Sequence, residues 1–324
     1  MAALTLDALF ASPDHYLHSF DGDEALFVPM NRAAYRRSIF LDNRIEPAAR
    51  GVLRVPVAAL QAPPGPTPAT GWICHIAHCG STLLARALGE LSDNLVLREP
   101  LALRQLGLAF DPARLALVLR MLARRYPGGG PNVVKANVPV NFILPQIAAA
   151  EPAARAVLLY FGLRDYALAI LRSDGHRQWL REITAQLAGP LGDLAGLDDG
   201  ERAAALWHAQ MRRLAAVLTS LPGARTLDAE DFFAAPESSL LAAARWLGVE
   251  AEAGAVAALA RGPLFATYSK NPGIAFANAD RLARRRQLET ALAPELASGA
   301  RWLERNAPEG RGLADELRRA ALAC

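Results

Sequence analysis

Between positions 71 and 86 the chain passes from an apolar run through a tight polar turn into a helical opening: Gly71-Trp72-Ile73-Cys74-His75-Ile76-Ala77-His78-Cys79-Gly80-Ser81-Thr82-Leu83-Leu84-Ala85-Arg86. A strand feeding a helix through so short a turn commits this stretch to a βα unit. The same junction aims backbone N–H groups and the positive end of a helix dipole at one point, which suits an anion and above all a phosphate. A triphosphate loop of the form G-x-x-x-x-G-K-[ST] needs Gly at 75 and Lys at 81. His75 and Ser81 stand there. The cradle for a phosphate is present; the lysine that reaches a β- or γ-phosphate is not.

Downstream the pattern alternates. Residues 72–76, 95–97, 132–134 and 156–161 read as strands, and 82–91, 112–123 and 139–149 as helices. Near-continuous apolar strands separated by helices predict an α/β fold, three layers deep, with a central, mainly parallel sheet covered on both faces. Ligands in such sheets bind beyond the carboxyl ends of the strands. His78, Glu99, Lys135 and Arg164 each end or follow a strand, and this shared placement marks them as candidate site residues. The C-terminal half is helix-rich, with helices at 201–218, 238–247 and 283–292 and a last strand at 226–227. Residues 189–200 are a loop of small and acidic residues, a candidate lid or substrate loop. Residues 1–69 carry strand 26–28 and helix 31–40 and end in a proline-rich linker or rigid loop at 61–68. They are expected to form an extension packed on a main domain spanning 70–324.

Composition narrows the partners. Hydrophobic residues make up 52% and charged residues 21%, as in a globular protein with a sizeable core. Thirty-five basic against 32 acidic residues leave a net charge of +3, which argues against nucleic acid or a membrane surface as partner. Cys74, Cys79 and Cys324 make no disulfide framework, so a reducing cytoplasm is expected. The first residues lack the pattern of a secretory signal, and no charge-free apolar run of about 18 residues predicts a membrane span. Abundant Ala, Arg, Leu and Gly suggest a GC-rich bacterial genome. The oligomeric state is left open.

The strand-end residues fall into an ordered series: Ala77-His78-Cys79-Gly80-Ser81-Thr82, Arg98-Glu99-Pro100, Lys135-Ala136-Asn137-Val138-Pro139, Leu163-Arg164-Asp165, then Leu227-Asp228-Ala229-Glu230-Asp231, Pro236-Glu237 and Trp246-Leu247-Gly248. Over residues 72–275 this series resembles the sulfotransferases that use 3′-phosphoadenylyl sulfate (PAPS). Their corresponding patterns are P-[KR]-[ST]-G-[ST]-[ST], K-[ST]-H-x-P, V-R-[DN] and Y-E-D-L…P-E…F-L-G. The resemblance implies a P-loop-type fold and transfer of a sulfuryl group from PAPS to a hydroxyl or amine of a small-molecule or peptide acceptor. No metal is implied, since no pyrophosphate Mg²⁺ clamp is required.

It also implies roles. His78 takes the place of the family's Lys or Arg at the bridging oxygen; a neutral histidine bonded within the loop is the alternative. Gly80, Ser81 and Thr82, with Cys79, are expected to bind the 5′-phosphosulfate, Ser81 or Thr82 equally able to cap the helix. Cys79 reads more simply as a small packed side chain than as a nucleophile, and Cys74 through Cys79 do not space like a metal site. Glu99 matches the glutamate base of tyrosylprotein-type sulfotransferases, the alternative being a salt bridge to Arg98 or Arg104. Asn137 stands where the cytosolic small-molecule enzymes carry a histidine base, a role asparagine cannot fill. Lys135 is expected to contact sulfuryl or phosphate oxygens. Arg164 is the candidate for the 3′-phosphate, with Ser173 or Arg172 beside it, since the family's serine position is held here by Arg172. Lys270, in a late Gly/Pro-marked loop, is expected to close over the 3′-phosphate, whereas Arg284–Arg286 read as a solvated helix face. A catalytically impaired nucleotide-binding module and, more distantly, a P-loop kinase are the alternative functions.

Overall fold

The computed structural model describes residues 5–60 and 67–323. Most of the proline-rich linker, residues 61–66, lies outside the described residues, as does Cys324.

Two sheets organise the first two-thirds of the chain. Strands β1 (His15–Asp21), β2 (Glu24–Pro29) and β3 (Leu53–Pro56) form an antiparallel sheet in that order. Strands β4 (Gly71–His75), β5 (Val96–Arg98), β6 (Val133–Lys135), β7 (Arg155–Tyr160) and β8 (Ala224–Asp228) form the central sheet, in the order β5-β6-β4-β7-β8 with every neighbouring pair parallel. All of β4, β5 and β6 is buried, and so is β7 after its first residue. Strands this apolar need cover on both faces. Helices Ser81–Leu91 and Pro236–Leu247 pack together on one side; helix Asp199–Ser220 packs with Leu144–Ala150 and Leu163–Ile170 on the other. The expected three-layer α/β arrangement is what these residues build.

The strand order fixes where a ligand would sit. From β4 the chain runs outward to β5, returns to β6 beside β4, then crosses to β7 on the far side. This reversal opens a crevice at the carboxyl end of β4.

Residues 15–56 are tied to the central layer from within. Arg98 ends β5, is 4% exposed, and donates to the carbonyls of Tyr35, Arg36, Ser38 and Ile39. Arg124 does the same for Leu9, Ser12 and His15. Burial lowers both guanidinium pKa values to about 10, so both remain charged at neutral pH, with Glu90 acting on Arg98 and Asp14 on Arg124 against that burial.

Some boundaries differ from those read in the sequence. The helix expected at 139–149 begins as a 3-10 turn, Val138–Ile143, before Leu144–Ala150, because Pro139 and Pro145 cannot donate to a regular helix. Strand β8 is not the last: β9 (Thr267–Tyr268) and β10 (Asn271–Ala275) make a late antiparallel hairpin. Residues 189–200 hold a short helix, Ala188–Leu191, and the Asp198 cap of the long helix, whose capping box uses Glu201. Among the described residues no helix is long and apolar enough to cross a membrane.

Candidate functional site

The turn after β4 is built to leave donors unpaired. Ala77 and His78 take positive φ (75° and 53°), and Gly80, which caps the Ser81–Leu91 helix, has φ 84° and offers no side-chain cap. Among the described residues the only other non-glycine with positive φ is Glu99, at 57°. All three side-chain-bearing residues in this disfavoured region follow the carboxyl ends of central strands, Ala77 and His78 after β4 and Glu99 after β5. A Cβ at Gly80 would meet the Phe233 ring at 2.9 Å, so a ring closes over the loop and only glycine fits beneath it. Thr82 is 2% exposed and its Oγ1 has no partner. An uncapped helix start beside an unpartnered buried hydroxyl calls for an anionic acceptor. Cys79 contributes only its backbone here: its thiol points into the core, donates to Leu159 O at 3.6 Å, and is pushed up to about 11 by burial.

A cavity of about 840 Å³ adjoins this loop. Its polar lining holds the loop residues His78, Gly80, Ser81 and Thr82, a second group of Arg172, Ser173, His176 and Arg284, and Lys270. Trp179, Phe233, Phe276 and Leu288 supply apolar surface. Arg172, Lys270 and Arg284 form no ion pair among the described residues. Arg281 and Arg285 are spent: Arg281 is bidentate with Glu230 at 2.7 and 2.8 Å, and Arg285 pairs with Asp165 and Glu230.

His176 organises the second wall. Arg172 Nε donates to its Nε2 at 3.0 Å. Nε2 is thus the acceptor, the proton sits on Nδ1, and Nδ1 donates to Ser173 Oγ at 2.7 Å. This leaves the outer guanidinium N–H groups of Arg172 uncommitted beside the cavity. Burial and then Arg172, Lys270 and Arg284 lower the His176 pKa to about 4. His78 packs its ring 4.6 Å from that of His176 and 5.1 Å from Trp179. Burial, and after it Lys270 and His176, hold it well below the usual histidine range. It is a neutral imidazole without a bound anion.

Behind the loop lies a second cluster. Lys135 is wholly buried; its Nζ is 2.5 Å from Glu99 Oε1 and 3.0 Å from His75 Nε2. The Ala77 N–H donates to His75 Nδ1 at 3.0 Å, so Nε2 carries the ring proton and faces Ala136 O at 2.9 Å. It offers the ammonium no lone pair, which leaves Glu99 as the anionic partner of Lys135. Burial alone would raise the Glu99 carboxyl, but Lys135, Lys270 and Arg44 outweigh it and keep the group below its ordinary value. Glu99 Oε2 is 3.7 Å from Arg44, whose guanidinium lies over Phe40.

The structure thus gathers His78, Gly80, Ser81, Thr82, Arg172, Ser173 and Lys270 around one cavity and sets Glu99 and Lys135 behind its loop. It does not bring Arg164 there. That side chain is 61% exposed, pairs with Glu289 at 3.1 Å and does not line the cavity. None of residues 189–200 lines it either. Asn137 is buried outside it, with Oδ1 unpartnered. Sequence reasoning missed Arg44, His176 and Trp179, which reach the site from distant segments with no motif of their own. It placed Arg284 on a solvated face, yet Arg284 is both exposed and cavity-lining.

No protein-family model matches the chain, and no curated protein matches it. Among solved structures it is similar to the sulfotransferase domain from the curacin biosynthetic pathway, with 13% identity over 74% of this chain and 97% of that one and a TM-score of 0.43. It is also similar to a sulfotransferase from Alicyclobacillus acidocaldarius, with 14% identity over 75% of this chain and 98% of that one and a TM-score of 0.39.

Proposed function

We propose that the chain is a sulfotransferase that moves a sulfuryl group from PAPS to a hydroxyl or amine. The observation that carries this reading is one cavity with two anion-seeking walls. The first is the uncapped helix start at Gly80–Thr82, with its orphaned Thr82 hydroxyl. The second is the unpaired cation group of Arg172 and Arg284 around His176 and Ser173. A nucleotide phosphorylated at both ends of its ribose answers both walls. A nucleoside triphosphate does not, because no lysine follows Gly80.

In this reading loop 77–82 holds the 5′-phosphosulfate, and Arg172, Ser173 and Arg284 hold the 3′-phosphate. The acceptor's oxygen or nitrogen forms a bond to sulfur as the bridging S–O bond breaks. The leaving phosphate keeps the electron pair, and Glu99 takes the acceptor's proton. Lys135 holds that carboxylate ionised and in place. A reducing cytoplasm fits the buried free thiols of Cys74 and Cys79. The neutral, ring-packed His78 favours a second reading, a module that binds the nucleotide without transfer.

Calorimetry with adenosine 3′,5′-bisphosphate tests the assignment. Binding in the micromolar range, with a thermal shift that ATP plus Mg²⁺ does not reproduce, is expected. No binding at high micromolar ligand overturns it. Labelled PAPS with an acceptor panel then separates the enzyme from the module.

A further inference from the structure

The loop that receives the anion carries no fixed charge. His78 is neutral in its ring cluster, and the fully buried Lys135 is paired with Glu99. Of the other cavity cations, Arg281 and Arg285 are held by carboxylates, and Arg172 and Arg284 stand with His176 and Ser173 on the second wall. One cation comes from outside the sheet. In the β9–β10 hairpin Asn271 pairs with Tyr268, which makes Ser269 and Lys270 the two residues of its tip.

The tip is fastened to the element the anion loop opens. Arg86, on the Ser81–Leu91 helix, donates to Ser269 O at 2.8 Å. The next residue, Lys270, lines the cavity together with His78, Gly80, Ser81 and Thr82. Its side chain stays accessible from within the cavity, while protein surrounds it on most sides and lowers its pKa. Glu99 is the foremost of the charges acting on it, followed by Lys135, Arg44 and Cys79, all at the phosphate-loop side of the site. Lys270 in turn is the foremost charge acting on His78, acts also on Glu99 and His75, and reaches His176 after Arg172.

Resting on the sulfotransferase reading, we propose that Lys270 serves the 5′ end of the donor rather than its 3′-phosphate. It is the cation that the hairpin brings to the transferring group, fastened there by the Arg86–Ser269 contact. The role is a charge one. As the S–O bond breaks, the leaving phosphate gains negative charge, and Lys270 offsets it beside loop donors that bring dipoles but no full charge. Because the cation rides on a hairpin, the site completes its charge only while that hairpin is seated on the helix.

The test is a ligand series against Lys270→Met and Arg172→Met, by calorimetry, with adenosine 5′-phosphate, adenosine 3′-phosphate and the 3′,5′-bisphosphate. Lys270→Met is expected to weaken the 5′-phosphate and the bisphosphate alike, by about 10- to 100-fold as for loss of a charged hydrogen bond, and to leave the 3′-phosphate unchanged. Arg172→Met should show the reverse. Lys270→Arg should recover part of the loss, and Arg86→Met should reproduce it in milder form. Unchanged melting of the variants without ligand separates these effects from misfolding. If Lys270→Met weakens the 3′-phosphate instead, or weakens neither ligand, the inference is overturned while the nucleotide assignment stands. If the unaltered protein binds none of the three, the sulfotransferase reading itself fails.

Discussion

Lys135 Nζ meets Glu99 Oε1 at 2.5 Å across the ends of adjacent parallel strands, in a pair whose lysine has no exposed side-chain surface. Registration of β5 on β6 places Arg98 opposite Lys135, so the residue after Arg98 lands on the ammonium. Glu99→Gln should lower turnover by about 10²–10⁴-fold with little change in nucleotide affinity. Lys135→Met should act through pH. With the ammonium gone, burial pushes the Glu99 carboxyl up, and the acid limb of the kcat/KM profile moves to higher pH. A limb that stays in place would show that Glu99 is not the titrating base.

Gly80→Ala tests the loop. The new methyl must share φ 84° and enter the space of the Phe233 ring at 2.9 Å. We expect a stability loss of about 1–3 kcal/mol and at least about tenfold weaker bisphosphate binding. Calorimetry and denaturant unfolding measure the two losses. Full affinity in the variant would show that the loop does not hold the anion.

Glu151→Gln is expected to stabilise. Trp72 Nε1 donates to Glu151 Oε2 at 2.9 Å, while Oε1 is buried without a partner. Burial raises this carboxyl to about 7 from an ordinary value near 4.5. Between those values the unfolded chain has lost the proton and the folded one keeps it, so stability falls as pH rises through that window and levels off above about pH 7. Glutamine keeps an acceptor for Trp72 and carries no proton to lose. The variant should gain about 1–3 kcal/mol over the parent at pH 8 and nothing at pH 4. Urea unfolding at the two pH values checks it; an equal difference at both contradicts the assignment.

Arg98→Met should loosen the first sixty residues. It strands four carbonyls that now share one buried guanidinium. A loss of about 2–4 kcal/mol is expected, with faster hydrogen exchange at residues 35–39 before the central sheet is affected. Uniform exchange across both sheets would show that the two layers unfold as one.

Much of this was legible in the sequence. The continuous apolar runs of β4 and β7 announce a parallel sheet because they are buried on both faces, and the loop at 77–82 announces an anion because strand, turn and helix stand so close. What stayed hidden depends on contacts that no local pattern carries. His176 lies within an ordinary helix and matters only because Arg172 and Ser173 flank it there. Arg164 fits a motif yet faces solvent, since the helix it begins turns that side chain to Glu289. The β9–β10 hairpin escaped because Pro272 and Gly273 read as loop, although they sit in an edge ribbon that tolerates both.

Holding Ala77, His78 and Glu99 at positive φ costs on the order of 1–3 kcal/mol per residue. That cost is also a reserve. Glycine at position 77 would recover part of it as heat tolerance while slackening the turn that aims the loop's donors. A search for sturdier forms of this protein would therefore be drawn first to the positions where gains in endurance come at the expense of the loop's aim.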